Sequence, residues 1–401
     1  MRGTVRITVA AIALSVFPAT VRAQTAVETA KSAFGEDVHA AAGLTCAACH
    51  VSSRGAEALP IPSRTAIAPL CATCHSDAAY MRRFDPQVRV DQFLQYQTSV
   101  HGKRMAAADE RVATCTDCHG AHGIKRVNDA RSPVAPLNVT TTCGRCHGDP
   151  ARMKLFGREA TPPGDWSASV HAAALIKRGD TSAPTCIACH GSHGATPPGV
   201  TSVANVCAQC HVREAELFRA SPKKEIFDAL GEPECLTCHR NHRIEPPQDT
   251  WVGVQEGSVC VECHDESGDS GMTIRRVREQ LDGLSAALSN ADAVLTRAER
   301  AGMLVDDGRT AFQEAREYRV QSRVLVHAFA LAPFLKVTSG GITSARRAQQ
   351  VGEAAMLELQ TRRRGLALAT LLILAFLGTL WLKIRRLPPP SSQQPMQPRA
   401  M

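Results

Sequence analysis

Apolar residues are arranged in three different ways along the 401-residue chain. Near the start, Ile7–Phe17 is apolar except for Thr8 and Ser15. Arg2 and Arg6 precede this stretch, and Val21-Arg22-Ala23 follows it. A positive start, a short apolar segment and small residues before a cleavage point form the pattern of an export signal. Residues 1–23 therefore read as a signal peptide, leaving Gln24 first after cleavage. Over residues 24–272 the chain is rich in Ala, Gly, Pro and Thr, and its ordinary apolar packing is thin for the length. Aromatic residues make up only 4% of the whole chain.

The pattern changes near Thr273. Val277, Leu281, Leu284, Leu288 and Leu295 recur at helical spacing, which predicts an amphipathic helix. Asp306-Asp307-Gly308 is expected to interrupt it. A second helix is expected from about Thr310 to Leu331, where it meets Pro333, and a third near Ala345–Arg364. Residues 273–364 thus form a helical segment that packs on its neighbours or acts as a stalk. Leu366–Leu382 then runs without a charge, at the short end for a membrane helix. Arg362, Arg363 and Arg364 precede it; Lys383, Arg385 and Arg386 follow it. A buried core helix would not normally sit between two basic clusters, so 365–383 is expected to cross a membrane once. With the body of the chain exported, the tail 384–401 falls in the cytoplasm. The second basic cluster agrees with that orientation. The Pro/Gln-rich tail reads as disordered.

Cysteine chemistry decides what the middle region is. All sixteen cysteines fall in eight copies of Cys-x-x-Cys-His. The copies are Cys46, Cys49 and His50; Cys71, Cys74 and His75; Cys115, Cys118 and His119; and Cys143, Cys146 and His147. They continue with Cys186, Cys189 and His190; Cys207, Cys210 and His211; Cys235, Cys238 and His239; and Cys260, Cys263 and His264. Each copy reads as a covalent attachment site for haem c. Both thiols bond to the porphyrin edge, and the adjoining imidazole ligates the iron. Zinc sites and redox dithiols use CxxC without requiring a histidine in the next place. Disulfides would suit an exported chain, but they give no reason for that histidine to recur eight times.

On these motifs, residues 39–264 resemble the multihaem c-type cytochromes, particularly octahaem members and those assembled from paired CxxCH modules. The resemblance implies a mainly α fold with extensive irregular loops around a haem array. It also implies eight covalently attached haem c groups and electron transfer outside the cytoplasm; some relatives are redox enzymes. Haem c is normally attached outside the cytoplasm in bacteria, which agrees with the export signal. Porphyrins would then supply much of the core between 24 and 272.

The motifs form four pairs. First cysteines lie 25, 28, 21 and 25 residues apart within pairs and 44, 43 and 28 between them. This is an internal repeat. Seven further histidines are candidate distal ligands. His39, His101 and His171 each follow a valine upstream of a pair, while His122, His193 and His242 each lie three residues after a motif histidine. The first pair has Ser53 at that third position, and the fourth pair has Lys223 and Lys224 near the upstream one. His327, on an apolar helical stretch, is expected either to be a core residue or to reach back to the fourth pair as a ligand. Eight bis-histidine haems need eight distal ligands, so the count is one short. Met81, Met105 or Met153 could fill the last position, or it could be open to a small molecule.

Charge alters the choice of partners. The polypeptide carries +8. Eight haems contribute about −8 if each brings two propionates against one net positive ferric centre. The oxidised protein is then near neutral, and the basic polypeptide is no argument for nucleic acid. Two functions follow. The first is a membrane-anchored periplasmic carrier in the bacterial inner membrane. It would connect a quinone-linked or integral redox subunit with a periplasmic electron-transfer protein. The second is an oxidoreductase acting on a small nitrogen or sulfur compound at one open-coordinate haem.

Overall fold

The computed structural model describes residues 19–50, 61–197 and 199–387. Met1–Pro18 of the expected signal peptide, Ser53, and Pro388–Met401 of the expected tail lie outside these residues. Among the described residues all regular structure is helical. The chain divides into two compact units. One comprises residues 1–212 and 227–246, and the other residues 213–226 and 247–401.

The first unit is built of short helices joined by long irregular connections. Local polar groups start several of them. Asp37 accepts from the His39 amide, Ser99 from Gly102 and Ser169 from Ala172. Each satisfies one of the amides that a helix start leaves without an intrahelical partner. At the start of Cys115–His119, Asp117 reaches back to accept from the Thr114 amide at 2.7 Å. Apolar clusters here are small. The largest contains Trp166, Ala172 and Leu175, with the Trp166 indole N–H donating to the Pro184 carbonyl at 3.2 Å.

The second unit is a bundle of three long helices, α1 (Asp269–Arg300), α2 (Asp306–Leu325) and α3 (Leu331–Arg385). The period-3.6 leucines meet there as expected. Leu284, Leu288 and Leu295 of α1 are buried against Ala311 and Ala315 of α2 and Ala345 and Ala348 of α3. Glycines set the helix spacing. A Cβ on Gly308 would stand 2.5 Å from Leu295 Cδ2, and one on Gly352 would stand 2.9 Å from Val294 Cγ1.

The boundaries differ from the sequence reading in three ways. The first helix is interrupted as expected, but the break falls at residues 301–305 and Asp306-Asp307-Gly308 opens α2; the acidic pair suits the positive end of a helix. The helix ends at Leu325 and passes into the 3₁₀ turn Val326–Ala328. Pro333 lies in the first turn of α3, where its missing N–H has no helical acceptor to lose. α3 then continues unbroken through the apolar run to Arg385. From Thr361 onward its residues are all exposed, the apolar Leu366, Leu371, Phe376 and Leu382 among them. This helix is long and apolar enough to cross a membrane.

Candidate axial-ligand sites

One helical turn explains why cysteine, cysteine and histidine work together at this spacing. Positions i, i+3 and i+4 share a helix face, so both sulfurs and the imidazole leave the backbone on one side. The turn closes through the histidine amide. The amides of His50, His211 and His264 each donate to the first cysteine's carbonyl at 2.9 Å, and that of His239 does so at 3.0 Å.

Six motif histidines face a second imidazole. The pairs are His39–His75, His50–His122, His101–His147, His119–His193, His171–His211 and His190–His242. Their ring centroids lie 5.9, 6.0, 6.0, 6.1, 6.4 and 5.9 Å apart. The interplanar angles span 4° to 87°. A fixed separation with a free angle is not what direct ring packing produces. It is what a metal between two nitrogens permits. Metal–nitrogen bonds of about 2 Å, plus about 1 Å from each nitrogen to its ring centre, give a spacing of about 6 Å. Among the described residues, no three His, Cys, Asp or Glu side chains gather as a metal site. Two trans imidazoles cannot complete a tetrahedral zinc, but they complete an iron already held by four porphyrin nitrogens. The donor set therefore fits haem.

The pairs obey a rule that crosses the repeat. Each upstream histidine serves the second motif of its own pair: His39 with His75, His101 with His147, His171 with His211. Each third-position histidine serves the first motif of the preceding pair: His122 with His50, His193 with His119, His242 with His190. Backbone bonds hold these segments together. The Val38 amide donates to Ile124 O, and the Val170 amide to Ile244 O, both at 2.9 Å. Neighbouring pairs are thereby interlocked.

One of the paired histidines, His39, is held by a carboxylate. Asp37 is only 2% exposed. One of its oxygens lies 2.9 Å from His39 Nδ1, and the other accepts from the Ile124 amide at 2.8 Å. A carboxylate on the nitrogen that does not face the partner ring fixes both tautomer and ring orientation. Glycine follows the motif where the chain turns left-handed, with φ +87° at Gly120 and +77° at Gly191. Arg240 takes the same place in the seventh motif with φ +61°. Burial lowers the pKa of His75, His101, His119, His147, His171, His190 and His193. The neutral imidazole that a metal requires is thus favoured. Beside His122, the face of helix Ala19–Gly35 offers Ala26, Thr29, Ala30 and Ala33 to an open groove of about 470 Å³.

Motif cysteines of consecutive pairs are neighbours that perturb one another's thiols: Cys71 with Cys115, Cys143 with Cys186, and Cys207 with Cys235. In each case one thiol is drawn down, to about 7 at Cys115, about 6 at Cys186 and about 7 at Cys207. Within pairs the motifs are also electrostatic neighbours: Cys49 with Cys74, Cys118 with Cys146, and Cys189 with Cys207. Motifs one to seven, all in the first unit, therefore follow one another in space as they do in sequence.

The eighth motif lies in the second unit. There His264 Nε2 meets the Lys223 ammonium at 2.8 Å, not a methionine thioether. His327 sits in the 3₁₀ turn after α2, and its Nδ1 is 2.9 Å from the Val324 carbonyl. That bond directs Nε2 outward from its own backbone. Met105 and Met153 are buried within the first unit. Sequence reasoning identified the histidines but missed the alternation between pairs. The available signal was the capping register: Asp37, Ser99, Ser169 and Ser221 each stand two residues before His39, His101, His171 and Lys223.

The cytochrome c3 family profile matches residues 38–148 and 178–265, together just under half of the chain. No curated protein and no solved structure was found to match. The chain is thus multihaem c-type cytochrome-like and mainly α, with one apolar helix of membrane-spanning length among the described residues. The family similarity implies covalent haem c and an electron-transfer role.

Proposed function

We propose that the chain is a membrane-anchored octahaem c-type electron carrier. The observation that carries this reading is the set of six facing imidazole pairs with one spacing and unrelated ring angles. Haem c, when bound, supplies reversible one-electron chemistry. The chain's own residues do the rest. The sixteen motif thiols would attach the groups and the motif histidines would hold the iron, while His39, His101, His122, His171, His193 and His242 would be the second ligands that keep water and substrates off it. The serial order of neighbouring motif cysteines supports passage along the array in sequence order.

The apolar stretch of α3 anchors the array in the bacterial inner membrane, with the haem-bearing region in the periplasm. Trp381, stacked under Arg385 at 4.0 Å, suits the membrane boundary. Anchoring keeps the carrier beside a quinone-linked or integral redox subunit, and a periplasmic electron-transfer protein is the second partner. The experiment is a haem count by pyridine haemochrome and intact mass, on protein made in a host competent for cytochrome c maturation. Electron paramagnetic resonance with nitrite, hydroxylamine and sulfite accompanies it. Eight haems, low-spin and indifferent to the additives, are expected. Fewer haems would defeat the octahaem assignment, and a high-spin signal that shifts with an additive would replace the carrier with an oxidoreductase.

A further inference from the structure

At the eighth motif the histidine meets a side chain of a different kind from those facing the six paired motif histidines. We infer that Lys223 Nζ is the distal ligand of the haem carried by Cys260, Cys263 and His264; the inference rests on the haem reading of that motif. Two independent observations support it. The first is contact: Nζ lies 2.8 Å from His264 Nε2, the coordinating nitrogen. The second is register. Ser221 precedes Lys223 by two residues, just as Ser99 precedes His101 and Ser169 precedes His171. Ser221 also receives the Lys223 amide at 3.2 Å, as Asp37 receives that of His39. Each of those three upstream histidines serves the second motif of its own pair. His264 belongs to the second motif of the fourth pair, so lysine stands where the repeat places a ligand.

The surroundings suit an amine donor. Phe329, held at φ +47°, lies with its ring centre 5.9 Å from Nζ and packs edge-on to buried Phe218 at 6.3 Å. Two donors about 2 Å from a metal stand about 4 Å apart. The four-carbon lysine stem can withdraw that far without moving the backbone. To hold the iron, the Lys223 ammonium would give one proton to water and offer its nitrogen lone pair as a donor opposite His264.

The test uses the full-length haem-loaded protein in detergent. Haem content is measured on every preparation beside its low-temperature paramagnetic resonance. In the unsubstituted protein the haem of the eighth motif should be low-spin. Lys223→Ala should convert about one-eighth of the haem iron to a high-spin form, and added imidazole should return it to low-spin. Lys223→His should remain low-spin but replace one component of the spectrum. Lys224→Ala, on the same helix, should change neither. The inference is overturned if Lys223→Ala with full haem content keeps the unsubstituted spectrum, or if Lys224→Ala reproduces its effect. A haem count below eight in the unsubstituted protein is a separate result. It tells against the haem reading itself.

Discussion

The two units of this protein solve the packing problem differently. In the bundle, side chains fill the space. Leu284 and Leu295 are fully buried, and Gly308 and Gly352 let helices approach so closely that a methyl group would collide. In the unit with seven motifs, histidines face one another in pairs about 6 Å apart. Buried apolar residues there are mostly isolated, such as Ala68, Val112 and Val139. The bundle carries its core in its sequence. The motif-bearing unit has little apolar core and holds its histidines in facing pairs.

The largest expected effect separates the two directly. Full-length chain made without haem attachment should lose the structure of the first unit and keep that of α1, α2 and the first half of α3. Limited proteolysis read by mass spectrometry should show cuts throughout the first region and protection of 269–355. Equal protection of both would mean that the motif-bearing unit folds on its polypeptide alone.

A core truncation probes the other side. Leu295→Ala removes a fully buried side chain between helices and should destabilise the bundle by about 2–5 kcal/mol. Denaturant unfolding of the haem-loaded protein should show that loss in the helical transition, with the haem absorption bands unchanged.

Ligand wiring gives a smaller, local effect. His193→Ala should expose the iron at His119, not the one at His190 beside it in sequence. About one-eighth of the haem iron should become high-spin. The same signal should vanish when Cys115→Ala and Cys118→Ala remove the third haem, and persist when the fifth is removed instead. The reverse dependence would refute the alternation between pairs.

The smallest effect lies on the bundle surface. Arg309 hydrogen-bonds the Glu299 carboxylate and holds it below its ordinary value of 4.5. A depressed carboxylate stabilises the fold above that ordinary value and loses its contribution as pH falls through the folded one. Glu299→Gln should therefore lower the melting temperature slightly at neutral pH, and the difference should close as the solution is acidified. A difference that grows with acid would reverse the assigned sign.

Local pattern made part of this legible in advance. CxxCH can be read anywhere because its chemistry spans five consecutive residues. The leucine period of α1 and the charge-free run after Arg364 are equally local. Helix boundaries were less legible. Asp306-Asp307-Gly308 resembles a break but serves as a helix start, since acidic residues favour the amino end and Gly308 is needed where α2 passes Leu295. Pro333 resembles a stop but occupies a first turn, where no helical hydrogen bond is lost.

The sequence by itself determined how many CxxCH motifs there are, which histidines adjoin them, and where the membrane-length helix lies. Only the tertiary structure decided which distal residue meets which motif. His122 faces His50 across 72 positions, and Lys223 faces His264 across 41. Such pairing depends on how successive modules stack, through bonds such as Val38 to Ile124 that no short window of sequence contains. The physical reason is that a thioether motif is specified along the chain, whereas an axial ligand is specified through space.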